Sequence, residues 1–361
     1  MPHPDPLRRI LAQPVLVRET SDSDWDLLLR QGRTADLLGR VGVLATEQRV
    51  REQLPSIVRT HLGSAETLCD HQHQAVRREV HELQNALRKL GVPLLLLKGA
   101  AYIIADLPVA QGRLLSDIDI LVPKEQLGNV EAALMLKGWT TTHHDSYDQR
   151  YYRRWMHELP PLIHMRRGTA IDVHHAILPP TARLRADSES MRKAAVPVAD
   201  WEGVRVLAPI DMVLHSATHL FHEGEFDHGL RDLVDLDALL RDFGTQPDFW
   251  PQLVNRARTV GLGRPLYYAL RYASQLLNTP VPAEVLADSA SDGPTPWLGK
   301  LMDRLFLQAL RAPHPSCADR WTPSALWLLY VRSHWLRMPF PLLAYHLARK
   351  AFWPKKKTEA K

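Results

Sequence analysis

The spacing of hydrophobic residues changes twice along this 361-residue chain, and this limits the folds open to it. Over residues 23–90 they recur at the helical period, up to a helix stop formed by Gly91 and Pro93. Over residues 92–178 they form short apolar runs typical of strands, with one amphipathic helix among them. After a connection rich in Pro and charged residues, the helical period returns. Strands between helical regions predict a small mixed β-sheet in an α+β fold.

The same pattern predicts four parts along the chain. Residues 1–90 form a helical N-terminal region, residues 91–180 an α/β core, residues 181–320 a helical C-terminal domain, and residues 321–361 an aromatic and basic C-terminal segment. Within the core, "VPLLLLKG" and "SDIDILVP" each predict a strand. The stretch "PPLIHMRRGTAIDVHHAIL" predicts two strands around a turn at Arg167 and Gly168.

Composition excludes several classes of protein. With 45% hydrophobic and 24% charged residues, the chain is typical of a folded globular protein. Its two cysteines, Cys69 and Cys317, are far apart and lack metal-ligand spacing, which favours a reducing compartment. The N-terminal residues contain Pro and Arg where a signal peptide needs an apolar core, and no apolar run approaches the ~18 residues of a membrane span. We therefore expect a cytoplasmic protein.

The formal net charge of +5 favours anionic partners: phosphates, nucleotides, nucleic acid or an anionic lipid surface. Charge alone does not choose among them. The arginines are scattered along predicted helices, and the sequence has no zinc-finger spacing and no RNA-binding signature. A dedicated nucleic-acid-binding function is therefore unsupported.

Two acidic residues interrupt an apolar strand in "LLSDIDILV". Residues two apart in a strand point to the same face, so Asp117 and Asp119 project together, roughly 7 Å apart, while Ile118 and Ile120 face the opposite side. Buried carboxylates are costly unless they are paired, neutralised or bound to a metal. A cation is therefore expected beside this pair.

A third acid, Asp172, lies on another predicted strand in "AIDVHH". Three carboxylates from two adjacent strands suit Mg²⁺, which takes oxygen ligands and is commonly shared with substrate phosphates. Two such ions can hold the attacking and leaving oxygens of an in-line displacement. By strand alternation His174 shares the face of Asp172, and His175 points away.

The stretch "LLLLKGAA" predicts a strand that runs through Lys98 and Gly99 into a short helix. Glycine lets backbone approach a ligand, and helix N-terminal amides with a lysine favour phosphate. Arg113 stands between this turn and the acidic pair, where its planar guanidinium suits a second phosphate group or pairs with Asp117. With Ser116 these three residues are the candidate nucleotide-binding set.

These parts occur in an order that resembles the polymerase-beta-like nucleotidyltransferase superfamily: a glycine turn after the first strand, an acidic h-D-x-D-h strand, and a later third acid. More narrowly, "LLLKGAA", "GRLLSDIDILV", "AIDVHHAIL" and "LAPIDMVLHSATHLFHEG" resemble a bacterial family of uncharacterised nucleotidyltransferases, often found near exopolysaccharide and exosortase loci. The resemblance runs over about residues 25–278. It implies that Asp117 and Asp119 are the metal-binding pair, that Asp172 is the third acid, and that Gly99 occupies the phosphate-binding turn.

The resemblance implies transfer of a nucleoside monophosphate from a nucleoside triphosphate to an acceptor hydroxyl, with release of pyrophosphate and two Mg²⁺ ions, or Mn²⁺, as cofactors. One residue departs from the pattern. The broader superfamily has Gly-Gly or Gly-Ser at the turn, and this chain has Lys98 and Gly99. The lysine either alters phosphate binding or replaces backbone contacts. A catalytically inactive, nucleotidyltransferase-like binding protein is therefore the alternative.

Three histidines, His215, His219 and His222, recur at helical intervals, with Asp211 one turn earlier. Such spacing can bind zinc, which leaves a histidine-site metallohydrolase as a third hypothesis. The alternative is a packing role beside the cleft. In that interpretation, the residues lining the cleft are His174, His219, Arg231 and Asp235.

The C-terminal segment mixes aromatic and basic residues. Such a mixture suits an interfacial helix on an anionic bilayer, which would place the protein at the inner face of a membrane. The alternative is a helix packed on the body of the protein with a solvated basic tail, because Pro339 and Pro341 interrupt the pattern. The residues concerned are Trp327, Tyr330, Trp335, Tyr345, Phe352 and Trp353 among Arg332, Arg337, Arg349, Lys350 and residues 355–357.

Overall fold

The N-terminal region of the protein, seen in a computed structural model, is helical, as its apolar spacing predicts. The structure describes residues 5–141, 152, 155–224 and 226–340. The apparently continuous pattern after residue 23 is divided at Asp36, whose φ of 55° lies in the left-handed region and ends one helix before the next begins. The helices are α1 (Pro6–Ala12), α2 (Asp22–Thr34), α3 (Leu38–Glu47) and α4 (Ser56–Leu87).

A seven-stranded mixed sheet follows, which confirms the α+β fold class. Its strand order is β3-β4-β5-β2-β1-β7-β6; the pairs β2/β5 and β1/β7 are parallel, and the others are antiparallel. The turn between β4 and β5 contains Gly168 at φ 71°. The strands are β1 (Leu94–Leu96), β2 (Asp117–Leu121), β3 (Trp139–Thr141), β4 (Leu162–His164), β5 (Ala170–His174), β6 (Val196–Pro197) and β7 (Val204–Val206).

Two of these strands come from the stretch that the sequence indicated only as a connection. The strand β7 runs parallel to β1 with Leu94 opposite Val204, and β6 covers its other edge. Both strands have three residues or fewer, too short for an alternating pattern to be recognised. The sheet therefore extends beyond residue 180, and the four-part division of the chain stays a prediction.

The remaining helices pack around the sheet and against one another. The helix α8 lies at the centre of the C-terminal helices and contacts α9, α10, α11 and α14. These helices are α5 (Lys98–Ile104), α6 (Leu127–Leu136), α7 (Ser188–Lys193), α8 (Pro209–Glu223), α9 (Gly229–Phe243), α10 (Phe249–Thr259), α11 (Gly263–Leu277), α12 (Ala283–Ser289), α13 (Pro296–Ala309) and α14 (Thr322–Arg337).

Alternation along β2 separates the core from the site. Ile118 and Ile120 are buried in the hydrophobic core, while Asp117 and Asp119 occupy the other face. A direct contact ties the helix after β1 to the C-terminal helices, because the Tyr102 hydroxyl lies 2.6 Å from Ser216 Oγ on α8. The face of β2 that carries Asp117 and Asp119 therefore lies towards α8 and α9.

None of the helices described over residues 5–340 is long and apolar enough to cross a bilayer. The aromatic and basic residues predicted to act beyond residue 340 lie outside the described residues. They are Tyr345, Arg349, Lys350, Phe352, Trp353 and residues 355–357.

Candidate functional site

The acidic strands β2 and β5 are neighbours, and their register brings two of the predicted acids together. In this parallel ladder Asp119 is the partner of Asp172, and Asp117 is the partner of Ala170. Partners in register on adjacent strands point to the same face of a sheet. Three carboxylates therefore share one face, with Asp119 almost fully buried.

Negative charge is concentrated around Asp172. Burial raises the pKa of this carboxyl to about 7, with further increases from Asp119, Glu158 and Asp117. Without a ligand, Asp172 therefore holds a proton near neutral pH more readily than an ordinary carboxyl does. A divalent cation would relieve the same repulsion.

Asp119 has protein cations beside it. Burial alone would raise the pKa of this carboxyl, but the Lys98 ammonium and the hydrogen bond to His174 outweigh burial and hold it well below its usual range. Lys98 Nζ lies 3.2 Å from Asp119 Oδ1, and His174 Nε2 lies 2.9 Å from the same oxygen. Asp119 is therefore ionised and charge-compensated.

Lys98 belongs to the same cluster of side chains, because its ammonium is paired with Asp119. It begins α5 with a φ of 45°, in the left-handed region that favours glycine. This explains why a small residue suits the position. In this chain Lys98 adopts the strained backbone conformation, and its ammonium lies beside Asp119.

The next residue, Gly99, is required by close packing. A Cβ at this position would collide with Arg113 Nη1 and would lie 2.6 Å from Leu115 Cδ2. Residue 99 can therefore be only glycine unless Arg113 moves. The turn and the arginine are one packing unit.

Arg113 is paired with a residue that the sequence did not indicate as its partner. Its Nε donates a 2.7 Å hydrogen bond to Asp235 Oδ2 on α9, and each side chain is 9% exposed. Its guanidinium also lies 5.7 Å from the ring centre of Tyr102. One of the two sequence interpretations paired Arg113 with Asp117. In the structure, Asp117 instead accepts a 2.8 Å hydrogen bond from Ser116 Oγ. Arg113 thus joins the sheet to the helices.

A cleft of about 290 Å³ opens above these residues. Among the described site residues, Asp172 and His174 adjoin Asp119 from β5 and do not line this cavity. One wall carries the predicted turn and acids, and the other carries residues of α8 and α9. The lining includes Lys98, Gly99, Arg113, Ser116, Asp117 and Asp119 opposite His219, Arg231, Asp232 and Asp235.

Asp232 is a site residue that sequence reasoning missed. Its carboxylate lies 3.6 Å from His219 Nδ1 and 3.2 Å from Arg231 Nη2. Burial would raise its pKa, but His219 and Arg231 outweigh burial and lower it. Its place three residues before Asp235 on a helix is a signal that could have found it, since such residues share a face. The cleft wall thus contains both cations and acids.

A second missed group surrounds His174. His174 Nδ1 lies 3.4 Å from Glu158 Oε2, and His157, Glu158 and His174 each offer a ligand atom within 4.8 Å of the others. Burial would lower the pKa of His174, but Asp119 and Glu158 raise it overall. His174 therefore bridges two carboxylates, which favour its protonated form, and its hydrogen bond helps to orient Asp119. No spacing in the sequence indicates Glu158.

The histidines of α8 do not form the zinc site that their spacing allows. Among the described residues, His215, His219 and His222 do not form a group of three ligand atoms within 4.8 Å of one another. Burial, with Lys98 and His219, lowers the pKa of His215 to about 3, so this side chain is neutral. Asp211 is bound by Arg256 through two 2.8 Å hydrogen bonds. The metallohydrolase hypothesis has no geometric support in these residues.

A comparison with protein-family models identifies one family. The model described as an uncharacterised nucleotidyltransferase matches residues 21–278, which include the turn, the acidic strands and the cleft helices. Neither the comparison with curated proteins nor that with solved structures gives a match. Since the match covers well over half of the chain, this protein belongs to the uncharacterised nucleotidyltransferase family.

Proposed function

We propose that this protein transfers a nucleoside monophosphate from a nucleoside triphosphate to an acceptor hydroxyl and releases pyrophosphate. The observation that carries the proposal is the register of Asp119 and Asp172 on neighbouring parallel strands, beside a cleft whose walls carry both cations and acids. Family membership supports nucleotidyl transfer in general. We also propose an active-site arrangement like that of polymerase-beta-like enzymes.

The donor set fits Mg²⁺, with Mn²⁺ as a substitute. Mg²⁺ prefers carboxylate and phosphate oxygens, and a bound cation would stabilise the charged form of Asp172, whose pKa is raised by burial and by the neighbouring carboxylates. Asp117, Asp119 and Asp172 would hold one or two ions. When bound, these ions would neutralise charge on the phosphates during displacement.

The cleft side chains would position the nucleotide. Lys98 and Arg231 supply positive charge to opposite walls, and Ser116 supplies a hydroxyl beside Asp117. Gly99 lets the backbone approach the phosphates. Arg113 would act mainly by holding the turn against α9, because Asp235 already occupies its Nε. Such positioning accounts for much of the catalysis of phosphoryl transfer.

Asp172 is the best-placed residue to receive the acceptor proton. Its carboxylate lies in register with Asp119, on the face that would hold the metal ions and the attacking hydroxyl. Its Oδ atoms would take the hydroxyl proton as the oxygen attacks the phosphorus. The acceptor class is a hydroxyl compound: a sugar, a small alcohol, a nucleic-acid end or a protein side chain.

The direct test follows the label of each of the four α-³²P-nucleoside triphosphates. The full chain is incubated with Mg²⁺, one labelled triphosphate and a cell extract, and the products are separated by size and class. The proposal predicts that label is attached to an acceptor, and that this labelled product does not form when EDTA is present from the start. No transfer from any triphosphate, in extracts that support a control nucleotidyltransferase, would contradict it.

A second candidate function is nucleotide binding without transfer, and the ion pair between Lys98 and Asp119 favours it. A lysine that permanently neutralises this acid would keep divalent cations away. Calorimetry with a non-hydrolysable triphosphate separates the two functions. An enzyme should bind the analogue much more tightly with Mg²⁺ than without it, whereas the binding protein should show equal affinities.

A further inference from the structure

The last described helix, α14, is apolar on the side that faces solvent as well as on the side that faces the protein. Its inner side packs on α8 and α13: Leu329 is buried, and Arg332 Nη1 donates a 2.8 Å hydrogen bond to the Phe221 carbonyl. Its outer side, with the residues at each end, exposes large apolar side chains. They are Trp321, Leu326, Trp327, Leu328, Tyr330, Val331, Trp335 and Phe340.

This outer side has the wrong chemistry for a solvated helix face. Surface helices normally present charged and polar residues to water, and a continuous exposed apolar patch marks an interaction surface. Trp327 is 62% exposed and Val331, one turn later, is 41% exposed. The helix contains no Asp or Glu, and its formal charges, Arg332 and Arg337, are both positive.

The positive charge of the whole protein is concentrated in the same segment. Residues 321–361 contain eight Lys or Arg and one Glu, while the chain as a whole has a net charge of +5. The rest of the chain is therefore slightly acidic. Four of the ten Trp residues also fall in this segment, at positions 321, 327, 335 and 353.

We infer that the outer side of α14 binds an anionic phospholipid bilayer surface. Trp and Tyr are enriched at the interface between hydrocarbon and water, where their rings are partly buried among headgroups. Each Lys or Arg near an anionic surface contributes about 1 kcal/mol, roughly a fivefold gain in affinity. The exposed aromatic side chains of α14 and the net positive charge in the sequence of residues 321–361 supply the two signals that stable peripheral binding needs.

Charge decides between a bilayer and a second copy of the chain. Two copies that met through α14 would bring two strongly positive segments together, which is unfavourable at physiological salt. An anionic bilayer meets the same segment with the opposite sign. The inference does not depend on nucleotidyl transfer, because it uses none of the cleft residues.

The test measures flotation of the full chain with vesicles. One vesicle population is phosphatidylcholine alone, and the other contains about 30 mol% phosphatidylglycerol to give a negative surface. The structure predicts flotation with the anionic vesicles and at least tenfold less with the neutral ones. Raising the salt from about 0.15 M to about 0.5 M should release most of the protein, because the interaction is screened.

Matched variants separate local docking from overall charge. The double variant Trp327→Glu with Val331→Glu adds two negative charges on the outer side of α14. The control is Met135→Glu with Leu136→Glu, which adds the same charges at an exposed apolar end of α6. The α14 variant should lose at least tenfold in anionic-vesicle binding, and the control should keep most of it.

Two results would overturn the inference. One is equal flotation of the α14 variant, the α6 variant and the parent protein. The other is a dimer in light scattering that the α14 variant abolishes, in a protein that does not float with either vesicle population. That result would assign the apolar surface to a second copy. Circular dichroism of each variant checks that the fold is retained.

Discussion

The Lys98 ammonium lies 3.2 Å from Asp119 Oδ1, so an acid assigned to a metal ion is already paired with a protein cation. His174 approaches the same oxygen from β5 at 2.9 Å. The Lys98 ammonium and the hydrogen bond to His174 together stabilise a carboxylate that is almost fully buried. Metal binding would therefore compete with Lys98 for Asp119, and nucleotide phosphates would give the displaced ammonium a new partner.

Replacing Lys98 with Met tests this competition. Without the ammonium, the affinity of the nucleotide-free protein for Mg²⁺ should rise by about tenfold, because a like charge close to the ion is removed. Nucleotide transfer should fall, because the same ammonium would hold phosphate. Calorimetric titration with MgCl₂ measures the first effect, with the exposed Lys124→Met as control. Unchanged or weaker Mg²⁺ affinity would show that Lys98 does not compete with the metal.

The glycine of the turn can be tested against a glycine with open surroundings. Gly99→Ala places a Cβ against Arg113 and Leu115 and should cost about 1–3 kcal/mol of unfolding free energy. Gly128→Ala on α6 has nothing within 4 Å of the added Cβ and should be neutral or slightly stabilising. Denaturant melts of the two variants provide the comparison. Equal unfolding free energies for Gly99→Ala and Gly128→Ala would mean that Arg113 is not held against the turn.

The ion pair between Arg113 and Asp235 should behave as a buried pair. Arg113→Met alone leaves a buried carboxylate without its partner and should cost about 3–5 kcal/mol. The double variant Arg113→Met with Asp235→Leu should recover most of that loss, since apolar residues of similar volume replace buried ion pairs well. As a control, Arg77→Met removes an exposed 3.7 Å pair with Asp106 and should cost under about 1 kcal/mol.

The same double variant separates the structural role of Arg113 from phosphate binding. Its affinity for a non-hydrolysable triphosphate should stay within about threefold of the parent if Arg113 only holds the turn. A loss above about thirtyfold in a well-folded double variant would show that the guanidinium contacts phosphate, as the sequence predicted. Calorimetry in the presence of Mg²⁺ gives both values.

Asp303 supplies a pH-dependent contribution to the stability of the C-terminal helices. Hydrogen bonds from Arg271, at 2.8 and 2.7 Å, and from Tyr272 lower the pKa of its carboxyl below the usual range. Because the pKa is lower in the folded state, the contribution is present above the unfolded-state value of about 3.9 and is lost as pH falls through the folded-state value. Asp303→Asn should therefore cost about 1 kcal/mol at pH 7, after allowing for the partly exposed Arg271.

Thermal melts over a range of pH check this prediction. The parent and Asp303→Asn should differ most between about pH 5 and pH 8 and converge in strong acid. As a control, Asp242→Asn makes the same substitution on α9, at an acid that has no ion pair among the described residues. A difference between parent and Asp303→Asn that persists unchanged to low pH would contradict the assignment.

Local signals in the sequence were sufficient for much of the fold. Gly91 and Gly138 end helices because both adopt positive φ, and alternation around Asp117 and Asp119 placed the acids and the core on opposite faces. These features depend on residues close in sequence.

Contacts between distant residues could not be predicted in the same way. Arg113 pairs with Asp235, 122 positions away, and an isolated sequence offers several equivalent acids. Glu158 reaches His174 from a segment with no strand or helix pattern. Lys98 takes a backbone conformation unusual for its residue type, because the turn imposes it. Tertiary packing, and not local preference, selects these partners.

The central claim is that carboxylates of β2 and β5 act together in nucleotidyl transfer. The most direct measurement is the rate at which label from an α-³²P-nucleoside triphosphate enters the acceptor, for the parent and for Asp119→Asn, Asp172→Asn and the exposed control Glu125→Gln. We expect losses of at least about 10³-fold for the first two variants, with native circular dichroism, and a control rate close to the parent. Near-parent transfer by a folded Asp172→Asn protein would contradict the claim.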